Sequence, residues 1–203
     1  MQHDAIVAVN KLKAAAAEKP MNLSQIDAAC SELCSVCDAG LPDRCLAAKS
    51  GAYDVLISVL HADDSNDYIP VTLPALLSLV GGQPDILDER GATRVVNILR
   101  DSSMPVDVVT TAMNVISRCC VLHEANRQQF VALSIIPLTA SLLATYHSHR
   151  QAVLAACAVF SALTLDDDVR VPFGKSHEHA KAIVIECSAL DTLMQLTSGR
   201  LHF

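Results

Sequence analysis

Three cysteines spaced Cys30-x3-Cys34-x2-Cys37 are the residues of this sequence that most suggest metal chemistry. On a helix their thiols fall within about 60° of one face, at 3.6 residues per turn. Cys30 and Cys37 would stand about 10 Å apart along the axis, too far to share one zinc easily at a Zn–S distance of about 2.3 Å. Two of the three could ligate with help from Cys45 or a distant His. The alternative is core packing, since free Cys behaves as a small buried apolar residue. Two His-x-His pairs, His147/His149 and His177/His179, fall in loops or at helix ends. A joint metal site would need those loops to meet; hydrogen bonding within the loop, or titration near neutral pH, is the simpler role. Gly174-Lys175-Ser176 resembles the end of a phosphate-binding loop, but Val169 stands where that motif needs its first glycine, and no strand precedes it. Asp166-Asp167-Asp168 lacks the spacing and glycine of a calcium loop. These acids are expected to open a short helix, whose positive end favours them, with Arg170 as a partner. No Ser-His-Asp or Cys-His grouping is evident, so no catalytic residue, metal or cofactor is expected.

Recognition chemistry is better placed. Asp107, Thr111, Asn114 and Arg118 fall at i, i+4, i+7 and i+11 of a long helical pattern, a continuous polar stripe. Val108, Ala112, Val115, Cys119 and Leu122 form a neighbouring apolar face. The stripe is either a peptide-binding strip, with Asn114 bonding a backbone and Arg118 pairing a carboxylate, or an ordinary solvated face. Ser78 and Ser161 are weaker candidates on flanking elements.

The elements that carry these residues recur. Gly51 opens GAYDVLISVL, Gly91 opens GATRVVNILR, Ser134 opens SIIPLTASLL and Ser188 opens SALDTLMQLT, at steps of 40, 43 and 54 residues. Each copy places aliphatics on one helix face, and a period of this size filled with helices means a stacked array. The grammar is a short helix, a Gly or Ser corner with expected positive φ, a medium helix, a loop and a long helix. The spacing predicts a first helix from Asp4 to about Ala16. A second, capped by Asn22 or Ser24, runs to about Asp38 with Ile26, Cys30, Leu33 and Cys37 as its apolar stripe. Triplets follow at about 42–49, 52–61 and 68–80; 84–90, 92–100 and 105–122; and 126–132, 135–145 and 149–165. Pro70 and Pro74 predict a late start or a kink in the 68–80 helix.

Composition agrees. Hydrophobic residues make up 51% of the 203, aromatics only 3%, and Trp is absent, so small aliphatics carry the burial and closely packed helices are favoured over a sandwich or barrel. A net charge of −7 with no Lys/Arg run argues against nucleic-acid partners. The first twenty residues are no signal peptide, and no stretch has the length of a membrane span. Eight Cys within helical patterns suit a reducing compartment, cytoplasmic and also nuclear.

Three helices per unit of about 42 residues, with Asn126-Arg127 opening a short helix eight positions before the corner, is armadillo grammar. The stretch from Thr164 to Lys181 resembles a segment of the family of armadillo repeat-containing protein six. So do His123-Glu124-Ala125-Asn126-Arg127-Gln128, Gln83 to Asp88 and Lys49 to Tyr53. The resemblance runs over nearly the whole chain. It implies a non-enzymatic scaffold of the cytosol, extending to the nucleus, and members longer than this chain at both ends. Nuclear-import adaptors share the fold but use Trp and Asn ladders; the corresponding positions here fall near Leu79, Cys119 and Ala162, so capture of basic import signals is not expected.

The expectation is therefore an all-α, armadillo-type solenoid, a right-handed superhelix of three-helix repeats. The divisions are about 1–40 (partial), 41–82, 83–124, 125–166 and 167–203 (partial), with an insert at about 169–181. It would act as a protein-interaction scaffold for protein or peptide partners, without nucleic acid or membrane. Arg170, Phe173, His177 and His179 are expected to form an insert surface. Neither end reads as a polar cap, so the chain is expected to be an excerpt of a longer array and to self-associate through its ends. A metal- or thiol-dependent regulator and a passive spacer are the competing readings.

Overall fold

A computed structural model describes residues 2–62, 65–187 and 189–197. Among them there is no strand, and the chain divides into two compact units, Met1–Arg94 and Val95–Phe203.

In the first unit α1 (Gln2–Ala17) packs on α2 (Leu23–Ala39), and both pack on α3 (Leu41–Lys49). α4 (Ala52–Leu60) and α5 (Ser65–Val80) complete the set, with α5 lying along α2. Asn22 caps α2 as its sequence position suggests: its side-chain oxygen accepts from the amides of Ser24 (3.0 Å) and Gln25 (3.3 Å). Ile26, Cys30, Leu33 and Cys37 are all buried, so the apolar stripe of α2 is core. α5 runs unbroken through Pro70 and Pro74, where a late start or kink was expected. Both prolines are exposed, one turn apart on one face, so water can serve the carbonyls that lose their amide donors. The polar loop before α5 includes Asp63 and Asp64, which lie outside the described residues.

Between α5 and α6 (Glu89–Arg100) the expected short helix at about 84–90 is only a single 3₁₀ turn, Pro84–Ile86. Gly91 consequently lies inside α6 rather than at a corner, and positive φ is found instead at Gly51 (88°) and Ser134 (62°). Gly91 is required for another reason. A Cβ there would overlap the Tyr53 hydroxyl, which donates to Asp88 Oδ1 at 2.6 Å and accepts from the Asp88 amide at 3.0 Å.

The second unit contains α7 (Val106–Cys120), α8 (Glu124–Ala132), α9 (Ile135–Thr145) and α10 (Arg150–Leu163). α7 and α10 pack side by side, the relation α2 and α5 have in the first unit. The Ser134 corner turns α8 into α9 through 73°. Beyond a loop follow α11 (Ser176–Lys181), a π turn over Ala182–Glu186, and α12 (Ala189–Thr197). The Ser188 corner lies outside the described residues.

Apolar ends were expected on both sides. On α1 and α2, Ile6 and Leu23 are exposed, but Lys11 and Glu32 form an ion pair at 2.7 Å between the helices. Val184, Ile185, Leu190 and Met194 are exposed on the π turn and α12.

Candidate functional site

The stripe on α7 is solvent-accessible. Asp107 and Arg118 are exposed, and Thr111 and Asn114 are half-buried; Val108, Ala112, Val115 and Cys119 turn into the core. Thr111 Oγ1 donates to the Asp107 carbonyl at 2.8 Å, which uses its proton within the helix. Among the described residues the Asp107 carboxylate and the Asn114 amide have no partner, so both are available to a ligand. Ser161 is exposed on α10, its carbonyl accepting from Thr164 Oγ1 at 2.9 Å. Ser78 is half-buried on α5. Leu79, Cys119 and Ala162, the expected ladder positions, are all buried and present nothing to a peptide.

The insert is not the projecting surface expected throughout. Phe173 is 91% exposed and His177 is exposed, but His179 is buried, its Nδ1 3.0 Å from the Leu163 carbonyl. Arg170 folds back: Nε donates to Asp168 Oδ1 at 2.8 Å and Nη2 to the Leu122 carbonyl at 3.0 Å. Asp166, Asp167 and Asp168 open no helix; Asp167 accepts from the Leu122 amide in the turn before α8 and Asp168 from the Glu124 amide at its start.

That fastening is a charge network the spacing argument missed. Arg127, fully buried, donates from Nε to Glu124 Oε2 (2.7 Å) and from Nη1 to both Asp167 Oδ1 (2.7 Å) and the Cys120 carbonyl (2.7 Å). Gln128 Nε2 and the Lys175 amide donate to Glu124 Oε1 at 3.0 and 2.8 Å. The Asp168 carboxylate accepts from the Glu124 amide at 2.9 Å. Burial pushes the Glu124 carboxyl up, but the bonds from Gln128, Arg127 and the Lys175 amide outweigh it and hold it below the usual carboxylate range. Arg170 and the Glu124 amide likewise hold Asp168 well below that range. The Gly174-Lys175-Ser176 loop thus offers its amide to a carboxylate of its own chain, not to a phosphate. The signal was present in Asn126-Arg127, which can be recognised as repeat grammar before its partners are known.

Four of the thiols, Cys30, Cys37, Cys119 and Cys120, lie in the core. Burial pushes Cys30, Cys37 and Cys119 up to about 12, and raises Cys120, Cys34 and Cys157 as well. Among the described residues no three His, Cys, Asp or Glu side chains converge as a ligand set, and His147/His149 do not meet His177/His179 in one. Tyr146 stacks edge-on against His149, ring centroids 5.9 Å apart.

No family model matches the chain. It is 32% identical over 200 residues to armadillo repeat-containing protein 6 of Homo sapiens, covering 97% of this chain and 39% of that protein. The Drosophila melanogaster homolog is 33% identical over 193 residues, covering 93% and 41%. A designed armadillo repeat protein superposes with a TM-score of 0.65 at 16% identity, covering 91% of this chain and 81% of the other. Over nearly its whole length the chain is thus a homologue of armadillo repeat-containing protein 6. It spans about two fifths of the length of the curated armadillo relatives it matches. Its fold is the all-α armadillo solenoid, a helical-repeat scaffold of a kind that typically binds proteins.

Proposed function

We propose that this armadillo chain is a non-enzymatic scaffold that holds a protein or peptide partner along the solvent-facing stripe of α7. The observation that carries the reading is the pair of open polar groups on that stripe. Asp107 and Asn114 are accessible and unpartnered among the described residues, while the same helix is anchored by its opposite face. Asn114 supplies both a donor and an acceptor to a peptide backbone, Asp107 an anion and Arg118 a cation, a combination suited to an extended polar segment. Thr111 and Ser161 add hydroxyls beside them. Ser78, half-buried on α5, is a weaker contact.

The net charge of −7 weighs against nucleic acid as the partner. Among the described residues no single helix is long and apolar enough to cross a membrane. Eight unpaired thiols suit a reducing compartment, the cytoplasm together with the nucleus. The exposed aliphatics of the π turn and α12 support contact with a second copy or another protein there.

The test is an affinity capture comparing the native chain with an Asp107→Ala, Asn114→Ala, Arg118→Ala variant of confirmed helicity. Partners held by the first and lost by the second support the reading. Identical partner sets reject it.

A further inference from the structure

The short helix α3 of the first unit carries a buried acid that the chain itself leaves unserved. Asp43, in the first turn of α3, is 8% exposed, and no hydrogen bond or ion pair reaches its carboxylate among the described residues. Glu124 opens α8 of the second unit and is also buried, yet it has Arg127 and Gln128 three and four positions on, plus the Lys175 amide. The residues three and four positions after Asp43 are Leu46 and Ala47, which have no side-chain donor. Arg44, the adjacent cation, is turned elsewhere: its Nη1 donates to the Gly81 carbonyl at 2.7 Å, and its buried Nε makes no hydrogen bond. The positive end of α3 favours the charge, but no side chain among the described residues donates to it.

Asp43 lines a cleft of about 260 Å³ between the start of α1, the end of α2 and the start of α3. The other walls are Asp4, Glu32, Ser35, Val36 and Ala39. Glu32 is neutralised by Lys11, whose Nζ donates to both its oxygens at 2.8 and 2.7 Å. Ser35 Oγ gives its proton to the Ser31 carbonyl at 3.1 Å and keeps its lone pairs for an incoming donor. Val36 and Ala39 supply an apolar wall. The cleft therefore combines a carboxylate lacking a cation, a hydroxyl able to accept and an aliphatic surface to cover.

We infer that this cleft receives an arginine side chain of a protein partner, its guanidinium on Asp43 and its stem along Val36 and Ala39. Arginine suits the site better than lysine because its planar fork can serve the carboxylate and the Ser35 oxygen together, while its methylenes cover the apolar wall. The site is separate from the α7 stripe, so either can fail without the other.

The experiment titrates the full chain, isotopically labelled, with the peptide acetyl-Ala-Gly-Arg-Gly-Ala-amide and follows backbone amides by NMR. A matched peptide with citrulline, neutral and nearly isosteric, is run beside it. Saturable shifts centred on Ser35, Val36, Ala39 and Asp43 are expected, at least tenfold weaker for citrulline. Asp43→Asn should lose the arginine response to the same degree, and Asp67→Asn, at an exposed acid on α5, should keep it. Equal responses to arginine and citrulline on the native chain would overturn the inference, as would an undiminished response in Asp43→Asn or a non-saturating one. The citrulline comparison needs no variant, so it decides the matter even if Asp43→Asn folds poorly.

Discussion

The short helices α3 and α8 each bury an acid in their first turn, and they hold it by opposite means. Glu124 of α8 sits in a closed network with Arg127, Gln128 and the loop that follows α10, every donor supplied by the same chain. Asp43 of α3 faces a cleft and is followed by Leu46 and Ala47. A buried acid near the start of the short helix is a structural rivet in the second unit and an open receptor in the first. Burial of a charge alone does not separate the two roles; the count of donors the chain supplies does.

The comparison breaks most visibly at Arg127. Arg127→Met leaves Glu124 and Asp167 facing each other's charge without a cation, and should cost about 3–5 kcal/mol in urea unfolding. Adding Glu124→Gln should recover part of that loss; a strictly additive double variant would show that the two do not form one network.

Next is the close approach at Gly91, a fastening within the first unit. Gly91→Ala should cost about 1–3 kcal/mol because the Tyr53 hydroxyl must leave its place on Asp88. Tyr53→Phe in the same chain removes the obstructing oxygen, so the glycine substitution should then be cheaper. Equal costs in both backgrounds would contradict the close approach.

Acid should separate the fastened sites from the open one. Burial pushes Asp88 up, but Tyr53, the Gly91 amide and Arg90 bring it below the ordinary range, as their own donors do for Glu124 and Asp168. Stability from these carboxylates is full above their unfolded values near pH 4, and is lost as pH falls through the lower folded values. The urea midpoint should drop between about pH 4 and 3, and less steeply in Glu124→Gln.

Much of this was legible in the chain. Periodicity placed α1, α2 and the second unit's helices, and Asn22 announced its cap. Two departures have physical causes. Pro70 and Pro74 look disruptive in sequence, but their shared exposed face leaves the freed carbonyls to water. Gly91 occupies a repeat corner by alignment, yet only the Tyr53 hydroxyl, 38 positions earlier in sequence, explains it. The site was half legible: helix spacing gave the α7 stripe, whereas His179 is turned inward onto the Leu163 carbonyl of α10, a partner that spacing does not reveal.

Two smaller effects sharpen the contrast. Asp43→Asn, measured by thermal melting, should be neutral or stabilising by up to about 1 kcal/mol, since it removes an unserved charge. Glu124→Gln in the same assay should destabilise. The Asp107, Asn114 and Arg118 alanine variants should each stay within about 0.5 kcal/mol of the native chain, as expected of surface groups outside such networks.

The central claim is that α7 meets its partner through the stripe carrying Asn114. A photo-crosslinking residue at position 114, with a control at exposed Asn97 of α6, tests it in cell lysate. The account predicts a discrete crosslinked protein from position 114 that is absent from position 97. The same products from both positions, or none from 114 while a partner is still captured, would contradict it.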